Sequence, residues 1–331
     1  MHTLLADPDL IAPLARELGV PAGDSPWLSC EQLPAFAAFA RQTLPDSRPI
    51  QATSVNAWAD AILEAVLGAL PDTQPWRLHL WPAYGEGRAG AHRCTLIRAA
   101  LSERLKKRRR ALLRSLEEGS EPFTPATSLV QAALTAPDTG LLSVCAAPQP
   151  HERRALISAF AAGAIAPAVD KQAPSRAFAK VVEAELRLGE RLQAGQTCVD
   201  LGASPGSWTY VALQRGARVT AVDRSPLRDD LMRHPRLHFH QGDAFKFRPE
   251  TPVDWLLCDI IAAPQRSIDL LLDWLAAGLM RRFLVTIKFK GGDEYGLLDT
   301  LKTRAPALCS DFRLTRLCAN KNEVSAFGRT A

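Results

Sequence analysis

At 331 residues the chain exceeds a single typical domain, so a second folding unit and a sizeable core are expected. Its hydrophobic share of 47% and charged share of 23% are ordinary for a soluble protein, no run approaches the apolar length of a spanning helix, and the opening lacks the pattern of a signal peptide, so a cytoplasmic protein away from membranes is expected. A net charge of +5 is modest enough that its distribution matters more than its sum, and an odd set of seven cysteines without C-x-x-C pairing speaks for buried thiols, with no disulfide framework and no metal.

Residues 1–44 read as an alanine-rich, helical opening without an assignable role. Residues 45–150 mix strands and helices: Trp76 to Trp81 alternates as a strand, and Gly140 to Cys145 reads as another. Between them Arg98, Arg104, Lys106, Lys107, Arg108, Arg109, Arg110 and Arg114 crowd a segment whose Leu96, Leu101, Leu105, Leu112 and Leu116 recur at helical spacing. That pattern predicts a helix with a leucine stripe inside and a basic surface outside, able to hold a polyanion through its phosphates; the competing reading is a solvated charged face. Residues 151–173 form a connection containing Gly163 and Pro167, and a helix carrying Lys180 opens the last domain, 174–331.

In that domain Thr197 to Leu201 reads as a buried strand, Gly202-Ala203-Ser204-Pro205-Gly206 as a tight turn, and Ser207 onward as a helix start. Such a turn at a strand's carboxyl end is where doubly wound sheets bind ligands. A dinucleotide loop uses glycines and backbone N–H groups to approach a pyrophosphate, whereas Pro205 removes a donor from this turn, and no Walker pattern is present. A cofactor without phosphates fits better, and S-adenosylmethionine is the natural candidate. The next strand, Arg218 to Val222, ends in Asp223, placed to accept from ribose hydroxyls. Leu237 to His240 leads to Asp243, placed for an adenine amino group. Asp254 to Cys258 ends in Asp259, and Phe283 to Ile287 in Lys288. Each strand delivers a polar residue to one rim of the sheet.

These residues resemble the FtsJ-like ribose 2′-O-methyltransferases, whose D-L-G-A-x-P-G-G-W loop matches Asp200 to Trp208 with Ser207 at the second glycine of the pair. The family's Lys-Asp-Lys-Glu catalytic set falls on Lys180 in Ser175 to Lys180, Asp259 in Cys258-Asp259-Ile260, Lys288 in Thr286 to Lys290, and Glu323 in Asn322 to Ser325. The resemblance implies a Rossmann-like α/β sheet that binds S-adenosylmethionine through Ser175, Gly202, Ser204, Pro205, Gly206, Ser207, Asp223, Asp243 and Asp259. It also implies methylation of a ribose hydroxyl in ribosomal RNA, a cytidine of the 23S molecule above all. Residues 45–150 resemble the smaller α+β THUMP RNA-binding domain in element order and in the run Lys106-Lys107-Arg108-Arg109-Arg110, with Arg114 beside it.

Methyl transfer from a sulfonium is an in-line displacement, so the enzyme must hold methyl and hydroxyl in near-attack geometry and help the hydroxyl lose its proton. A free lysine, with a pKa of about 10.4, is a poor base at neutral pH, and burial or a second ammonium lowers it. Lys288 is the residue nearest to a general base in the resemblance; a version in which it polarises the hydroxyl while orientation supplies the rate is equally coherent. Lys290 shares the strand end and is the principal competitor for that role, and Lys180 on an amphipathic helix has the alternative of facing water. A small-molecule methyltransferase has no need of the basic helix, and a non-catalytic RNA-binding protein has no need of Lys288.

Overall fold

The computed structural model describes residues 1–85, 88–118, 127–145, 156–166 and 168–331. They form two compact units that divide between Ala164 and Ile165.

The amino-terminal unit opens with β1 (His2–Ala6), α1 (Ile11–Leu18), β2 (Trp27–Cys30) and β3 (Ala40–Leu44), the strands forming an antiparallel sheet in the order β2-β1-β3. The helical opening expected for residues 1–44 is therefore corrected to a small sheet with one short helix. Alanine here fills tight packing positions instead of driving a helix: Ala37 and Ala38 are buried, and the Glu17 carboxylate accepts from the N–H groups of Ala38 and Phe39 that a helix would have used.

The rest of this unit comprises β4 (Arg48–Gln51), α2 (Val55–Ala69), β5 (Trp76–Pro82), α3 (Arg88–Arg108), α4 (Arg110–Arg114), β6 (Leu116–Glu117), β7 (Ser128–Leu134) and β8 (Thr139–Cys145). The strands form one mixed sheet ordered β4-β8-β7-β5-β6, in which β5 runs parallel to β6 and β7 while β8 runs antiparallel to β4 and β7. Trp58, Ile62 and Val66 of α2 pack with Trp76 and Leu78 of β5 and with Ile97, Leu101 and Leu105 of α3. Residues 156–164, expected within a connection, belong to this unit: the Gln42 amide donates to the carbonyls of Ser158 and Phe160 and accepts from Ser158 N–H, and Ile157 is buried.

The carboxy-terminal unit is a doubly wound α/β sheet built from α5 (Phe178–Leu188), β9 (Thr197–Leu201), α6 (Ser207–Gln214), β10 (Arg218–Asp223), α7 (Asp229–Met232), β11 (Leu237–Gln241), β12 (Val253–Cys258), α8 (Pro264–Ala276), β13 (Met280–Lys288), α9 (Leu298–Arg304), β14 (Cys309–Thr315) and β15 (Glu323–Thr330). The order is β11-β10-β9-β12-β13-β15-β14, parallel from β11 to β13, with β15 inserted antiparallel between β13 and β14. The central strands β9 and β12 are buried on both faces because helices cover both, which is why they read as largely hydrophobic runs. The chain winds outward in both directions from β9, so a crevice opens at the carboxyl ends of β9, β10 and β12. Of the cysteines, expected to be buried, Cys318 is exposed.

Candidate active site

The turn after β9 is shaped by two glycines. Gly202 has φ +74°, and a Cβ there would stand 2.5 Å from Cγ1 of Ile260 in the neighbouring crossover. Gly206 has φ +108° and would bring a Cβ to 2.4 Å from Leu231. Both backbone conformations are ones that L side chains rarely adopt, and at both positions a neighbouring side chain would have to give way to a Cβ. Between them Ser204-Pro205 is a cis peptide bond. The Asp223 carboxylate at the end of β10 accepts from Ser204 N–H at 3.0 Å and Ser225 N–H at 2.9 Å, tying the first two strand ends together. On the opposite side the Ser207 and Ser175 hydroxyls are 2.7 Å apart, and the Trp208 indole N–H donates to the Ala177 carbonyl at 2.8 Å, so the entry to α5 is latched onto the loop.

The resulting cleft of about 370 Å³ is lined by Ser175, Gly202, Ser204, Pro205, Ser207, Asp223, Asp259 and Lys288 among others. Its volume lies in the range of small-molecule sites, and a donor-poor turn facing an aspartate suits an uncharged nucleoside with an amino-acid tail better than a pyrophosphate. Seven of the expected cofactor positions thus share one cavity. Gly206 and Asp243 are not on its wall: Gly206 precedes the first turn of α6, and Asp243 accepts from Phe245 N–H at 3.0 Å and from Arg224 at 3.2 Å. Those hydrogen bonds hold the Asp243 carboxyl below its ordinary pKa. Other lining residues lie outside the expected site set, among them Asp200, Ile260 and Ile261. Asp200 sits inside the motif strand, completely buried, and burial, reinforced by the nearby Asp259 and Asp223 carboxylates, pushes its pKa up to about 7 against the hydrogen bond from the Thr209 hydroxyl at 2.6 Å.

At the other end of the cleft the four expected catalytic residues form a continuous chain of alternating charge. Glu323 Oε1 lies 2.5 Å from Lys180 Nζ, Lys180 Nζ donates to both Asp259 oxygens at 3.2 Å, and Asp259 Oδ1 lies 2.9 Å from Lys288 Nζ. Lys288 also donates to the Asp259 backbone carbonyl at 2.9 Å. Asp259 therefore bridges the two lysines. Lys180 faces inward from α5, its side chain only 7% exposed, so the water-facing alternative is excluded. Glu323 opens β15 in register opposite Lys288, yet its carboxylate reaches Lys180. The hairpin leading to it is anchored on α5, where the buried Glu183 carboxylate accepts from Cys318 N–H at 2.8 Å. Lys288 and Asp259 line the cleft, while Lys180 and Glu323 stand behind them. Lys290 is exposed and takes no part in the chain.

The basic segment in the amino-terminal unit departs from expectation. It breaks at Arg109 into α3 and α4, and its inner face is Cys94, Ile97, Leu101 and Leu105, with Leu96 44% exposed. Much of its charge is spent locally: Arg104 pairs with Asp60, Lys106 with Glu103, Arg108 with Glu64 and Arg109 with Asp72. Arg110 and Arg114 are exposed and form no ion pair among the described residues, and Lys107 is exposed beside them.

The family model of FtsJ-like methyltransferases matches residues 173–288. The Ribosomal RNA large subunit methyltransferase M of Laribacter hongkongensis (strain HLHK9) is 35% identical over 259 residues, 75% of this chain and 68% of its own length. That of Halorhodospira halophila (strain DSM 244 / SL1) is 31% identical over 271 residues, 81% of this chain and 71% of its own. That of Thauera aminoaromatica is 39% identical over 166 residues, 47% of this chain and 46% of its own, so this match spans about half the relative. With relatives matched across both units and an FtsJ-like model over the cleft, the chain belongs to the Ribosomal RNA large subunit methyltransferase M family.

Proposed function

We propose that the protein catalyses S-adenosylmethionine-dependent 2′-O-methylation of a ribose in large-subunit ribosomal RNA, a cytidine of the 23S molecule, in the cytoplasm. The observation that carries this reading is the chain Glu323–Lys180–Asp259–Lys288, which presents one lysine amine at the wall of a nucleoside-sized cleft. Ser175, Gly202, Ser204, Pro205, Ser207 and Asp223 hold the cofactor, and Asp223 accepts from its ribose hydroxyls. When bound, the cofactor supplies an electrophilic methyl group on a sulfonium.

The protein's own task is to hold the acceptor oxygen in line and deal with its proton. Lys288 has two of its Nζ positions occupied by the Asp259 carboxylate and carbonyl, which leaves one for the 2′-oxygen. Lys180 fixes Asp259, and Glu323 fixes Lys180. The direction of the last Lys288 hydrogen bond is readable from pH: a rate that climbs with pH marks a neutral amine accepting the hydroxyl proton, and a flat profile marks an ammonium that orients the oxygen. The THUMP-like segment of the amino-terminal unit, residues 45–150, grips RNA phosphates through Lys107, Arg110 and Arg114, with Lys106, Arg108 and Arg109 shaping that surface through their ion pairs. Mass-spectrometric mapping of ribose methylation in ribosomal RNA from cells with and without the protein tests the reading. A single cytidine that loses its 2′-O-methyl group is the expected result; an unchanged map overturns it.

A further inference from the structure

The crossover from β12 to α8 carries two isoleucines with opposite fates. Ile260 turns inward against Gly202, close enough that even a Cβ on the glycine would collide with it. This contact couples the crossover to the cofactor turn. Ile261 turns outward and is 89% exposed, the most exposed large hydrophobic side chain among the described residues. Yet it lines the same cleft as Asp259 and Lys288, and Pro264 in the first turn of α8 limits the backbone freedom of the segment that presents it.

An aliphatic side chain in this place donates no hydrogen bond and moves no proton; what it offers is shape and apolar surface. The turn follows β9 and Asp223 ends β10, whereas Ile261 follows β12 and Lys288 ends β13 farther across the sheet, so the β12–β13 side of the cleft is left for the acceptor. A phosphate gains nothing from an isoleucine, whereas the face of a nucleobase or the carbon edge of a ribose does. We infer that Ile261 is a positioning residue that packs against the base and sugar of the acceptor nucleotide and keeps its 2′-oxygen at Lys288. The inference rests on the proposed RNA 2′-O-methyltransferase reading and adds to it a contact with the nucleotide itself. Close packing at Ile260 and exposure at Ile261 then act together: one sets the crossover against the cofactor turn, and the other presses the acceptor into line.

The test compares Ile261→Ala and Ile261→Leu with wild type in single-turnover methyl transfer to an in vitro transcript of large-subunit ribosomal RNA. RNA and S-adenosylmethionine are saturating, and calorimetric cofactor affinity is measured on the same proteins. Because misplacement of a reacting atom is costly and a few methylenes define such contacts, Ile261→Ala should slow transfer about tenfold. Its cofactor affinity should stay within about twofold of wild type, and Ile261→Leu should recover most of the rate. An Ile261→Ala enzyme as fast as wild type overturns the contact. So does an equal loss of cofactor affinity, which would make Ile261 part of the cofactor wall, and so does a leucine that restores nothing. A wild-type protein that transfers no methyl to the transcript overturns the underlying reading as well, whereas an active wild type indifferent to Ile261 overturns only this inference.

Discussion

Replacing Lys180 by methionine should destabilise the carboxy-terminal unit as well as stop catalysis. The Lys180 and Glu323 side chains are 7% and 8% exposed, and the lysine is the cation that faces Glu323. Asp259 keeps Lys288 in the variant, but Glu323 is left as a buried carboxylate without its cation. Breaking a buried pair from one side costs about 3–5 kcal/mol. At roughly 2–4 °C per kcal/mol for a unit of this size, the calorimetric transition of that unit should fall by roughly 10 °C. Glu323→Leu should cost less, because Lys180 retains both Asp259 oxygens at 3.2 Å. The double variant Lys180→Met/Glu323→Leu removes both ends of the pair and should recover most of the lost stability, since apolar replacements of a buried pair are often neutral or better. It should still fail to transfer methyl groups. Differential scanning calorimetry of the four proteins, with single-turnover assays beside it, closes the cycle. A Lys180→Met protein within about 1 kcal/mol of wild type, or a double variant no more stable than the single one, refutes the claim that this amine is a buried, paired charge.

Lys288→Ala should slow single-turnover methyl transfer by about 10²–10⁴-fold with cofactor affinity nearly intact, and Lys290→Ala should do far less; near-normal rates for Lys288→Ala would remove it from the mechanism. Asp200 has a folded pKa of about 7 against an ordinary value of 3.8, so the folded state keeps its proton while the unfolded chain loses it, and stability present below about pH 4 is lost as pH rises to about 7. The stability of Asp200→Asn relative to wild type should therefore rise as pH goes from 5 to 8; a difference independent of pH in thermal melts contradicts this. Replacing Lys107, Arg110 and Arg114 by glutamine should weaken RNA binding and flatten its salt dependence by about one unit of slope for each phosphate no longer neutralised, with cofactor affinity unchanged. Filter binding across a salt series reads both effects, and an unaltered slope would reduce this surface to a solvated face.

Several parts of the molecule were legible in the linear chain because their causes are local. The strands Thr197–Leu201 and Val253–Cys258 announce themselves as apolar runs since both of their faces are buried, and the turn from Gly202 to Gly206 reads from conformations that side chains resist. The polar residue closing each strand follows from the same pattern, which is how Asp223, Asp259 and Lys288 stood out. Where alanine-rich composition spoke for helix in residues 1–44, pairing of β1 with both β2 and β3 prevailed, because small residues serve a packed sheet as well as a helix. The basic run was legible as charge, but which of its cations are ion-paired was decided largely by acids about forty residues away, such as Asp60 and Glu64 on α2, brought alongside by helix packing. The same holds at the catalytic end. Residue types and order pointed to Lys180, Asp259, Lys288 and Glu323, but that Asp259 stands between the lysines, that Glu323 closes on Lys180 instead of its register partner Lys288, and that Ile260 turns in while Ile261 turns out were settled only by the tertiary structure. Backbone periodicity and turn chemistry act over a few residues and are written in the sequence; the direction in which a long side chain reaches depends on neighbours contributed by distant segments, and those exist only once the sheet has assembled.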